Sequence, residues 1–140
     1  MKTHAFRLSP GQDLKRELVA FAQRAKIRAG VVLTCVGSLK TTVLRYANRS
    51  ETATRDGHFE IVSLVGTLAH DGAHLHLCAT DGDGTAFGGH LADGCVIYTT
   101  AEVVVGELDG WVFAREPDAA TGFRELVVRP RVDEVGSRGG

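Results

Sequence analysis

The chain has 140 residues, 44% apolar and 24% charged, with a formal net charge of −1. These values describe one globular domain of soluble type, and the scattered basic residues argue against direct binding of nucleic acid. No run approaches the roughly 20 apolar residues of a membrane span, the start "MKTHAFRLSP" lacks the apolar core of a signal peptide, and three cysteines without a CxxC pair predict a reducing, cytoplasmic setting.

The first segment reads as a strand followed by a turn at Pro10-Gly11. Leu14, Leu18, Phe21, Ala22 and Ala25 then recur at helical spacing, which predicts one amphipathic helix. Ser9 or Asp13 is placed to cap its start, and Gly30 supplies a stop signal. The rest reads as strands. "VVLTCVGSLKTTVLRYA" is rich in β-branched residues and broken at Gly37-Ser38, and "FEIVSLVGTLAH" carries Gly66 at a bulge or bend. "AHLHLCAT", "CVIYTTAEVVVGEL", "GWVFARE" and "FRELVVR" follow, with turn signals at Asp56-Gly57, Asp71-Gly72 and Asp109-Gly110. One helix against many antiparallel strands predicts an α+β fold with a strongly bent sheet or partial barrel. Residues 1–129 are expected to form this single domain, and 130–140 a flexible C-terminal tail.

The chemistry concentrates in "GAHLHLCATDGDGTAFGGHL", residues 72–91. Alternation along a strand puts His74 and His76 on one face and Leu75 and Leu77 on the other. The leucines suit a core, and the two imidazoles suit two ligands of one ion. Gly82, Gly84, Gly88 and Gly89 permit a return that brings His90 beside the pair, and Gly88-Gly89 lets backbones approach closely. Three neutral histidines with one open position form the pattern of a catalytic zinc. Outward-facing polar residues on a half-exposed strand are the competing account. Cys78 falls on the histidine face and reads as a packed thiol, as do Cys35 and Cys95.

An enzyme at such a centre needs a proton-transfer group and an anchor for an anionic substrate. Arg45 in "VLRYA" and Glu60 in "FEIVS" are ionisable residues within apolar strands, expected to pair with each other or to line a pocket. Glu102 in "TTAEVVV" is a candidate general base or a structural carboxylate. "DGDGTAFGG" is neither a calcium loop, because Ala86 stands at the required glycine, nor a dinucleotide fingerprint, because Phe87 stands at the third. It reads as the flexible return that delivers His90.

The ordered set "FRLSPGQDL", "VGSL", "VLRYA", "FEIVSLVGTL", "HLHL", "GGHL", "TTAEVVV" and "TGFRELVV" resembles the PPC domain, the plants-and-prokaryotes conserved domain. That resemblance, over residues 3–128, implies a compact α+β domain that assembles as a homotrimer. Plant members join it to AT-hook segments, and bacterial members stand alone. This chain has no AT-hook core, since "RPR" at 129–131 lacks the glycine, so DNA association is expected only through partners. The fold is also similar to that of acetolactate decarboxylase, a zinc enzyme with a His-x-His pair and a later histidine. That likeness implies Zn2+, or another divalent transition metal, at His74, His76 and His90. Two expectations follow: a trimeric metal-binding protein acting on a small metabolite, or a non-enzymatic trimerising interaction module.

Overall fold

The computed structural model describes residues 1–132. In chain order they form β1 (Lys2–Leu8), α1 (Leu14–Arg24), β2 (Gly30–Arg45), β3 (Ala53–Ala69), β4 (Gly72–Thr80), β5 (Ala86–Leu91), β6 (Val96–Glu107), β7 (Trp111–Pro117) and β8 (Arg124–Pro130). The α+β reading therefore holds. The first six strands make one antiparallel sheet in the order β1-β6-β2-β3-β4-β5. β5 also returns to the far end of β2, where Leu44 lies opposite Leu91 and Arg45 opposite His90. β2, β3, β4 and β5 thus close a ring at one end of an otherwise open sheet.

The long strands bend at bulges rather than breaking. β2 and β3 are continuous through Gly37-Ser38 and through Asp56-Gly57, both expected to interrupt them. Register shifts on β2 at Val32/Thr34, Gly37/Leu39 and Leu39/Thr41 absorb the curvature, because each extra residue kinks a strand without ending its pairing.

Alternation delivers one face of the sheet to the core. Leu39, Leu44, Leu64, Leu68, Leu75, Leu77, Leu91, Ile97, Val103 and Val105 are buried and meet Leu14, Leu18 and Ala22 of α1. Asp13 caps the helix: its carboxylate accepts from Arg16 N at 3.1 Å and from Gly94 N at 2.7 Å, which ties the helix start to the β5–β6 turn. The helix stops earlier than Gly30. Ala25 caps it, and Lys26 turns the chain out at φ +53°.

β7 and β8 form a separate antiparallel hairpin. Its buried Phe113 packs on Ala29 and Ala69, with Leu108 and Leu126 beside them. β8 runs through Pro130, one residue past the expected domain end, and residues 133–140 of the expected tail lie outside the described residues. Among the described residues no helix is long and apolar enough to cross a membrane.

Candidate metal centre

The strand "HLHL" divides its side chains as alternation requires. Leu75 and Leu77 are 0% and 2% exposed, and His74 and His76 stand on the opposite, exposed face of β4. The segment after the turn is itself a strand. Asp81 Oδ1 accepts from Asp83 N and Thr85 N, folding residues 81–85 into a turn, and Ala86–Leu91 pairs along β4 as β5. His90 then lies directly opposite His76. The return expected over "DGDGTAFGG" is a hydrogen-bonded turn in its first half and a strand in its second, where "AFGG" finds backbone partners on β4.

Two glycines set the close approach. A Cβ at Gly66 would lie 2.0 Å from the His74 carbonyl oxygen, so only glycine lets β3 pass beneath that residue. A Cβ at Gly89 would lie 2.8 Å from the Arg45 carbonyl oxygen, so glycine there lets β5 reach β2.

The three rings converge. Centroids of His74 and His76, and of His74 and His90, are 5.1 Å apart, and those of His76 and His90 are 5.7 Å apart. One nitrogen from each falls within 4.8 Å of the others. The Nε2 atoms of His74 and His76 are 3.2 Å apart. Two nitrogens bound to one tetrahedral zinc at about 2.0–2.1 Å would stand about 3.3 Å apart, so this pair already has the span of a ligand edge.

Protonation state favours ligation. Burial lowers the pKa of His74, with Arg115, His76 and Arg45 lowering it further against an upward pull from Glu125. Burial likewise pushes the pKa of His90 down to about 4, with His74 and Arg45 adding to the effect. Both are therefore neutral near pH 7, the form that binds metal. His90 Nδ1 is also buried with no hydrogen-bond partner among the described residues. An orphaned buried group costs about 1–3 kcal/mol, and coordination of the ring is one way to offset it. Three converging imidazoles fit a divalent transition metal.

Of the other candidates, Arg45 stands beside the histidines and the two glutamates do not. Arg45 neighbours His90 across the β2–β5 ladder. Glu60 is opposite Ser38 and Thr80, four residues along β4 from His76, or about 13 Å at strand rise. The expected Arg45–Glu60 pair is absent, because Ser38 and Arg45 sit seven positions apart on β2. Glu102 pairs with Arg7 and Val36 in the β1–β6–β2 region, still farther from Arg45 along β2. Cys78 packs in register between Ser63 and Gly88, and burial raises the pKa of Cys35 and of Cys95 to about 11, leaving both as inert thiols.

Sequence reasoning missed a contribution from the last hairpin. Arg115 of β7 donates through Nη2 to Thr67 Oγ1 at 2.8 Å, and Thr67 lies opposite His74 on β3. "GWVFARE" gives no signal of this, since any alternating strand shows one charged side.

A bent antiparallel domain with three convergent histidines on its outer face is the class that fold and site define. Residues 1–109 match the Plants and Prokaryotes Conserved (PCC) domain, and the chain belongs to that family. It is 47% identical over 126 residues to the bifunctional protein GlmU of a Synechococcus strain, covering 90% of this chain and 20% of that protein. The chain thus spans about one fifth of that relative's length. A solved protein of Salmonella enterica is 43% identical with a TM-score of 0.91, over 94% of this chain and 95% of the other. A metal-containing protein of Archaeoglobus fulgidus is 27% identical with a TM-score of 0.77, over 91% and 94% of the two chains.

Proposed function

We propose that this chain is a metal-binding PCC-domain protein in which His74, His76 and His90 hold Zn2+ or another divalent transition metal. The observation that carries this reading is the convergence of the three imidazoles, with two Nε2 atoms at the 3.2 Å span of a ligand edge. The metal-containing Archaeoglobus relative supports it. A zinc-type ion held by three histidines supplies Lewis acidity at an open fourth position. The chain's own residues orient the three rings, lower the pKa of His74 and His90, and place Arg45 beside them. A small metabolite is the substrate class that suits so open a face, in a cytoplasmic setting.

The assembly we propose is a homotrimer. Leu33, Val36, Val62, Val65 and Tyr98 of β2, β3 and β6 are large apolar side chains left exposed. Together they make the kind of apolar surface that a further copy covers. The same surface favours a second reading, a non-enzymatic interaction module without chemistry of its own.

Metal analysis of untagged protein tests the first reading, with about one ion per chain expected. His76→Ala removes one of three ligands and should weaken zinc binding about 250-fold, if each ligand carries a comparable share of a total near 10 kcal/mol. Absence of metal from wild type, or unchanged affinity in the variant, refutes the site. Light scattering that shows a monomer at micromolar concentration refutes the trimer.

A further inference from the structure

The histidine face is flanked by a cation on each side. Arg45 enters from β2: its backbone pairs with His90, and the neighbouring Leu44 faces the core, so the guanidinium shares the imidazoles' face. Its Nη1 donates to Arg49 O at a long 3.4 Å. Arg115 enters from the opposite side, held by Thr67, whose strand position lies against His74. Neither guanidinium forms an ion pair among the described residues, although eight other ion pairs do form there. Glu125 is the acidic group that acts on His74, and Lys15 is a further cation acting on His90.

The two guanidinium groups flank the three imidazoles, and each presents a planar fork of donors. Such a fork matches the paired oxygens of a carboxylate or a phosphate. The order across the face is Arg115, His74, His76, His90, Arg45, following β3, β4, β5 and β2 around the closed ring.

We infer that Arg45 and Arg115 form an oxyanion clamp, so that the ligand of this face is a small anion carrying a carboxylate or phosphate group. The inference rests on the proposed three-histidine centre for the position of the ligand. Arg115 lies on the β7–β8 hairpin, beyond the 1–109 match.

The test is calorimetric titration with propionate and methylphosphonate, on metal-free and zinc-loaded protein whose zinc content is measured first. One saturable site per chain is expected for at least one anion. Arg45→Gln and Arg115→Gln should each weaken it about tenfold or more while zinc content stays at the wild-type level. Arg24→Gln, at the exposed end of α1, should leave it unchanged. The tighter of the two anions identifies the group the clamp prefers. No saturable binding in either form of the protein, or binding indifferent to both arginines, overturns the clamp. Failure of the metal centre appears separately, as absence of zinc uptake. Arginine-dependent anion binding by the metal-free protein would then still support the clamp.

Discussion

The two hairpins β4–β5 and β7–β8 are held by different means. β4–β5 is built into the main sheet: β3 pairs on one side, β2 closes the other, and Leu75, Leu77 and Leu91 anchor it in the principal core. β7–β8 pairs as strands only with itself; a small cluster around Phe113, a backbone bond from Phe113 N to Arg28 O and the bond from Arg115 to Thr67 attach it. Groups that must converge within a few ångströms sit on the first hairpin, where backbone pairing fixes them. A group that only needs to reach over the site sits on the second. Precision and adaptability are thus assigned to separate parts of the chain.

The sharpest way to break this contrast is Leu75→Ala. The side chain is fully buried, so its removal should destabilise the whole domain by about 2–5 kcal/mol in denaturant unfolding. A loss below about 1 kcal/mol would show that β4 is not locked into the core. Phe113→Ala should act more locally, at about 3 kcal/mol, the low end for this change because its cluster is small. Amide exchange should quicken in β7 and β8 while β4 and β5 stay protected, and zinc content should not fall. Equal exchange in both hairpins would erase the distinction.

The smallest effect is a pH dependence. The folded chain holds His90 at about 4, against an ordinary value of 6.5. Between those values the unfolded chain takes up a proton that the folded chain refuses. Stability of metal-stripped protein should therefore fall as pH drops from 6.5 toward 4, with no further contribution from this group below. His90→Gln should flatten that part of the curve, and an unchanged slope would locate the titration elsewhere.

Local pattern carried much of this. The period of α1, the division of "HLHL" into leucine and histidine faces, and the close approach at Gly88-Gly89 follow from side-chain geometry within a few residues. What did not follow is long-range. Bulges keep β2 and β3 continuous across glycines that read as breaks, and a bulge depends on the partner strand. The placement of Arg45 beside His90 depends on ring closure, and that of Arg115 on where a distant hairpin docks. Glu60 and Glu102 looked equivalent to Arg45 as charges within apolar strands, and only register separates them.

The return of β5 to β2 has a temporal consequence. The β4–β5 turn is local and can form early, whereas contact between positions 45 and 90 must close a loop of about a third of the described chain. His90 can meet His76 in an isolated hairpin, but Arg45 joins them only when the ring shuts. An ion on the imidazoles together with an anion bridging to Arg45 would act as a latch on that last closure. Their joint dissociation would then follow the breathing of the ring rather than the strength of any single bond.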